Sequence, residues 1–371
     1  MNPNLPLCKE FFSKITTDLD HDDFRLTITA NQPSIALPYY VDKNARFIEL
    51  IAFKKTFLSL FQEAHTYFNR VLSNQSYSFD ENLYYMTIGL LFTTPENKTI
   101  HNLHEQLLRE YFQDNSIFNI PNLLTKEVRL VQRLLCSSSN RINKSSSLWI
   151  FYRKLYILSL HAKTPISTDF CFIFNSSGSQ HFSNYYCWNT ARWFYDNLAF
   201  DKRMELFCLT KIFCFQHVKD CSSWSTLAYM ICQQKQKNQY NIRDFQRLRN
   251  SFDLFSTPNT EDLNFQLPDA DAFIQELAEW IDKTYTADWP PYLCLLEIIK
   301  LIGTDINSMF SIWKSEVQNF EKKHGSIKLE NSYPVVPKQF TNDLLISKSF
   351  IHFGYKKLFL YVAVKKERSR S

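Results

Sequence analysis

One pattern recurs along this chain: a small polar group, then a tryptophan, then an aromatic or basic stretch with helical spacing. The copies are Asn143-Lys144-Ser145-Ser146-Ser147-Leu148-Trp149-Ile150-Phe151-Tyr152-Arg153, then Ser183-Asn184-Tyr185-Tyr186-Cys187-Trp188-Asn189-Thr190-Ala191-Arg192-Trp193, then Asp220-Cys221-Ser222-Ser223-Trp224. A weaker copy precedes them at Pro95–His104, with His101 where the tryptophan would stand. Trp149, Trp188 and Trp224 are 39 and 36 residues apart. That period fits one pair of helices with two turns, and such pairs bury their apolar faces only by stacking on neighbours. The expected fold is therefore all-α, a right-handed superhelical alpha-alpha solenoid of the tetratricopeptide-like kind, a crescent of helical hairpins. The alternative is three unrelated core tryptophans.

Composition excludes several other classes. The chain holds 5 Gly against 33 Phe and 19 Tyr in 371 residues. So few glycines leave no Gly-rich phosphate loop and few positive-φ turns, which argues against Rossmann, P-loop and hairpin-rich β folds. Helices packed by large aromatic side chains remain. The charge balance, 42 Lys and Arg against 37 Asp and Glu, gives no basic arm for nucleic acid outside the tail Lys365-Lys366-Glu367-Arg368. Nine cysteines without a CxxC pair fit a reduced, cytoplasmic protein and no zinc ribbon. Neither a signal peptide nor a membrane span is expected, and there is no C-terminal lipidation cysteine.

Periodicity divides the chain into a mixed segment over 1–43, helical hairpins over 44–255, a linker over 256–268 with Pro258 and Pro268, and C-terminal helices with a basic tail over 269–371. Phe47, Leu50, Ile51, Lys54, Phe57, Leu58 and Phe61 predict one long helix from about Asn44 to Leu72. Further helices are expected at 81–92 and 97–112, after the break Asn119-Ile120-Pro121 from Thr125 to Leu135, and at 148–162, 184–199, 202–217, 222–236, 241–254, 269–285, 290–303 and 305–323. The stretch 340–364 fits helix or strand.

The repeat resembles that of protein prenyltransferase alpha subunits, with Asn184-Tyr185 and Trp188 as its most specific piece. Within that family it is most similar to the divergent branch that pairs with a Rab-type geranylgeranyltransferase beta subunit. The likeness covers about residues 80–240. It departs at the family's first arginine, replaced by Tyr152, Ala191 and Leu227; only the second survives, as Arg153 and Arg192. The resemblance implies an alpha subunit of a heterodimeric protein geranylgeranyltransferase, inactive alone, with zinc on the beta-subunit partner and none here. It implies that Lys144 stabilises the isoprenoid diphosphate and that Asn184, Tyr185 and Tyr186 lie beside it. Trp149, Trp188, Trp224, Arg153 and Arg192 would hold the repeats together. Ser146 and Ser147, where CaaX-reading branches carry Tyr and Gln, are too short to hold a substrate carboxylate. A protein substrate recognised by docking, already singly lipidated, is the corresponding expectation.

Independent catalysis has little support in the residues. His101 and His104 stand at i and i+3 without a third metal ligand. Asp20-His21-Asp22-Asp23 reads as an acidic turn, Tyr39-Tyr40 forms no recognisable site, and no nucleophile elbow occurs. The competing reading is a non-catalytic helical-repeat scaffold for protein–protein interaction.

Overall fold

The structure, a computed structural model, describes residues 5–16, 24–30, 37–43, 48–73, 79–114, 122–162, 170–232, 239–252, 268–303 and 310–368. Phe47, the acidic run 20–23, the break at 119–121, nearly all of the 256–268 linker and the last three residues lie outside these. The described chain is mostly helical with few strands, and it divides into two compact units. One comprises residues 1–193 and 241–258, the other 194–240 and 259–371.

The first unit opens with a helix, α1 (Pro6–Thr16), that burial at Cys8, Phe11, Phe12 and Ile15 explains: their spacing of three, one and three makes one apolar stripe. Its N-terminal amides are met from elsewhere in the chain, Leu7 N and Cys8 N each donating at 3.1 Å to the Glu63 carboxylate. A three-stranded sheet follows in the order β1 (Phe24–Thr29), β3 (Ile48–Phe53), β2 (Tyr39–Lys43), with β1 parallel and β2 antiparallel to the centre. Ser138 closes the open edge of β1: its amide donates to Leu26 O at 3.0 Å and its hydroxyl accepts from Ile28 N.

The long helix expected from Asn44 therefore begins only at Lys54. Ile48, Leu50 and Ala52 are buried alternately with half-buried Glu49 and Ile51, a period of two. The helix α2 (Lys54–Ser73) buries Thr56, Leu60 and Ala64 rather than the expected face, and Leu58 is exposed. The apolar spacing of three and four runs by coincidence across a strand–helix junction.

Helix α3 (Glu81–Thr93), capped by Asp80, is buried almost all round and packs against α1 and α2. Gly89 permits this approach: a Cβ there would lie 2.5 Å from Cys8 Sγ and 3.0 Å from Ala64 Cβ. Then come α4 (Lys98–Gln113), α5 (Leu123–Leu135), the single turn α6 (Asn140–Asn143) and α7 (Ser146–Ala162). Helix α5 starts at Leu123, behind Asn122 in the left-handed region (φ 54), so Thr125 lies inside the helix and is not its cap. A π-helical turn, Cys171–Asn175, leads into α8 (Ser176–Gln180) and α9 (Tyr185–Asn197).

The second unit contains α10 (Phe200–Gln216) and α11 (Cys221–Cys232). Helix α12 (Tyr240–Asn250) belongs almost wholly to the first unit. The second resumes with α13 (Ala270–Thr284), capped by Asp269, and α14 (Pro290–Ile302), which Pro290 opens and Gly303 at φ 83 closes. Helix α11 packs on α14. Next are α15 (Ser311–His324) and a hairpin of β4 (Lys328–Glu330) and β5 (Tyr333–Val335) turning through Asn331 and Ser332, both at positive φ. The stretch that read as helix or strand is α16 (Leu344–Arg368), which packs on α14, α15 and the hairpin.

Candidate functional site

The recurring tryptophan pattern is a helix-start device. Ser145 Oγ accepts from Leu148 N (3.2 Å), Asn184 Oδ1 from Cys187 N (3.3 Å), and Asp220 Oδ1 from Ser223 N (2.9 Å). In each case the side chain four residues after the cap is the tryptophan, whose amide donates to the cap carbonyl at 3.1–3.2 Å. Asn97 does the same for Ile100 N and His101 N. The likeness of His101 to Trp149 extends further. His101 Nε2 lies 2.8 Å from Pro95 O, and Trp149 Nε1 donates at 2.8 Å to Asn143 O, each bridging back six residues. Burial, the largest cause, holds the His101 imidazole below its usual pKa. A cap plus an aromatic in the next turn satisfies an orphan amide and anchors the helix.

Several polar side chains around these starts are already engaged. Asn143, Ser177 and Asn184 are all fully buried. Asn143 Nδ2 donates to Leu135 O and to Ser177 Oγ (3.0 Å), and Asn184 Nδ2 donates to Asn143 Oδ1 and Ser177 Oγ. The Asn184 side chain is thus turned into the protein, with no atom facing solvent. Ser146 and Ser147 direct their hydroxyls to the Glu96 carboxylate, at 3.0 and 2.9 Å. Burial raises the Glu96 pKa, but hydrogen bonds from Ser145, Ser147 and Ser146 outweigh it and leave the carboxyl below its usual range.

Trp149 stacks parallel to Phe174, and Trp224 packs against Phe215 and Trp280 in the second unit. Trp188 is equally buried. Arg153 is buried, with Nε and Nη2 donating to Thr190 Oγ1 (3.2 and 3.0 Å), Nη1 3.5 Å from Asp244 Oδ2, and its guanidinium over the Trp193 ring. It ties α7 to α9 and α12. Arg192 is half-buried on α9.

Lys144, Tyr185 and Tyr186 lie differently. Lys144 Nζ donates to Phe182 O at 3.3 Å, across the turn that leads into α9. Phe182, Tyr185 and Tyr186 are 64%, 62% and 40% exposed, and the two tyrosine rings meet edge to face at 5.5 Å. Phe182 has no periodic signal, because it stands in the short turn between the end of α8 at Gln180 and the start of α9 at Tyr185. Ser183 holds φ 51 there, a strained value for a non-glycine that aims the turn.

A second constellation was hidden from sequence spacing. Thr87 Oγ1 is 2.8 Å from His104 Nδ1, His104 Nε2 is 3.2 Å from Glu127 Oε2, and the Tyr84 hydroxyl donates to Glu127 Oε1. Burial, then the Glu127 charge, pushes the Tyr84 phenol well up. This hydroxyl–imidazole–carboxylate chain has catalytic composition, but Tyr84, Thr87, His104 and Glu127 are all fully buried. No substrate reaches it, and its members join α3, α4 and α5. Among the described residues no group of three His, Cys, Asp or Glu is placed to hold a metal ion, and no helix is long and apolar enough to cross a membrane.

Comparison with known proteins identifies the family. Residues 1–136, 148–252 and 270–371 match, in turn, the models of the ECM9 N-terminal, middle and C-terminal domains. Protein ECM9 of Saccharomyces cerevisiae is 65% identical over 377 residues, with the whole of both chains covered. The chain belongs to the ECM9 family.

These matches overturn the resemblance to prenyltransferase alpha subunits. With it fall the geranylgeranyltransferase activity, the status of enzyme subunit, the Rab-type beta-subunit partner and the lipidated protein substrate. The physical reason lies in the motif: a capping side chain followed at the fourth position by tryptophan is a general way to begin a packed helix, and it carries no diphosphate chemistry by itself.

Proposed function

We propose that this chain is a binding protein that holds an acidic, partly apolar segment of another protein on the turn before α9. The partner's apolar side chains would lie on Phe182, Tyr185 and Tyr186, and its carboxylate would meet the Lys144 ammonium. The observation that carries this reading is the exposure of those three aromatic rings at a single turn beside a lysine. Most large aromatics in the neighbouring helix starts are buried. Clustered exposed aromatics mark binding surfaces, and tyrosine supplies large contact area at small entropic cost. The charge of the partner follows from Lys144, the cation whose Nζ reaches Phe182 O at this turn.

On the same reading, the repeated cap-and-aromatic starts support a stacked, right-handed superhelical path for the helical pairs of the first unit. Nine cysteines, all free, support a place in the reducing cytoplasm.

The test places a photoreactive phenylalanine analogue at Tyr185 of the full chain in cells, with the exposed Tyr240 as control position. A discrete protein adduct specific to position 185 is expected. Irradiation that yields no adduct there, or the same adducts at both positions, would refute the proposal.

A further inference from the structure

The C-terminal helix begins where two leucines project into water. Leu344 and Leu345 are 84% and 80% exposed, the most exposed of the large hydrophobic residues described. Their position is not frayed. Asp343 Oδ1 accepts from Leu345 N and Ile346 N at 3.0 Å, and Ser347 donates from Oγ to Phe340 O at 2.7 Å. The first turn of α16 is therefore anchored with both leucines held outward.

Exposed lysines stand on the neighbouring turns. Helix α15 runs antiparallel to α16. Glu316 pairs with Lys356, Phe320 packs on Phe353 and Phe350, and His324 lies against Phe350 and Phe340. The last turn of α15, with exposed Lys322 and Lys323, thus ends beside the start of α16. Exposed Lys338 stands in the 3-10 turn Lys338–Phe340, and Lys348 lies one helical turn after Leu344, on the same face.

Of the two nearest carboxylates one is neutralised by a lysine, and the other keeps its charge against the four lysines of the patch. Asp343 caps the helix, and Glu321 is held by Lys357 at 2.6 Å and by Ile327 N at 2.8 Å. Exposed Glu330 is on the hairpin, which meets α16 at Gly354, about 15 Å further along the axis.

The shape decides between two kinds of anionic partner. A protein partner seats its apolar anchors in a groove. These leucines instead protrude from a helix start, a wedge with cations around its base. A lipid surface accepts that arrangement, with apolar side chains at the headgroup–acyl boundary and lysines against anionic headgroups. We propose that this end of the second unit docks reversibly on an anionic membrane, with Leu344 and Leu345 inserting and Lys322, Lys323, Lys338 and Lys348 neutralising headgroups.

Flotation of the full chain with vesicles tests this. Binding is expected to phosphatidylcholine vesicles containing phosphatidylserine and not to phosphatidylcholine alone. It should weaken in high salt, where the screening length falls from about 10 Å at 0.1 M to about 3 Å at 1 M. The L344S/L345S variant should keep its circular dichroism spectrum and bind at least about tenfold more weakly. K338Q/K348Q should bind about 25-fold more weakly, each lysine near an anionic surface being worth about fivefold. The proposal is overturned if anionic vesicles do not retain the chain, or if the leucine variant floats like the native protein. Equally tight binding to soluble polyglutamate would assign the patch to an acidic protein and overturn it too.

Discussion

Replacing Asn184 separates a structural asparagine from one that waits for a ligand. Asn184→Ala removes the cap on Cys187 N, a loss of about 0.5–2 kcal/mol. It also removes the donor to Asn143 Oδ1 in a fully buried site, and an orphaned buried acceptor costs about 1–3 kcal/mol. The local destabilisation should be about 2–4 kcal/mol. Asn184→Asp keeps an oxygen for the cap but sets a second, charged oxygen against Asn143 Oδ1, so it should destabilise more than alanine does. Because the chain has two units, a single melting curve is the wrong probe. Native-state hydrogen exchange at the amides of Trp188 and Ala191 reads α9 directly. An alanine effect below about 0.5 kcal/mol, or an aspartate no worse than alanine, would refute the reasoning.

Three further outcomes follow from the packing. Gly89→Ala should destabilise the first unit by about 1–3 kcal/mol, since its Cβ would press on Cys8 Sγ; adding Cys8→Ala should restore part of that loss in hydrogen exchange at the amides of α3. Burial, then the neighbouring Lys356 charge, pushes the His352 pKa down to about 4, so the unfolded chain takes up its proton first as pH falls. The second unit should lose about 3 kcal/mol between about pH 6.5 and 4, with full stability above that window; denaturant midpoints across it, compared with His352→Asn, check the slope. Lys356→Met leaves Asp282 and Glu316 without the ammonium that meets each at 2.6 Å; a loss of about 1–3 kcal/mol is expected, limited by the partial exposure of both carboxylates, and calorimetry of the variant measures it.

Helices with their own stop signals could be read from residue order. Pro290 and Gly303 bracket α14, and the tryptophan starts at 149, 188 and 224 each follow a capping residue. Two kinds of feature could not. The strand Ile48–Phe53 runs straight into α2 without a turn residue, so a period of two merged with a period of 3.6. Helix α1 carries its spacing at Cys8, Phe11, Phe12 and Ile15, yet so short a stripe does not stand out within the mixed segment 1–43. In the candidate site, Lys144, Tyr185 and Tyr186 stand out as types, yet Phe182 joins them only through the positive φ of Ser183. The buried Tyr84, Thr87, His104 and Glu127 come from three helices and share no local pattern. The tryptophan motif misleads for a related reason: local capping chemistry repeats across unrelated helical proteins.

The claim that the turn before α9 is a working surface is tested most directly by comparing partner recovery. The full chain and its Y185A/Y186A variant are purified from the same cells with isotope labels that distinguish their co-purifying proteins. Both tyrosines are exposed, so thermal stability should stay the same while a defined acidic partner falls by about tenfold or more. Equal recovery of every partner at equal stability would contradict the account.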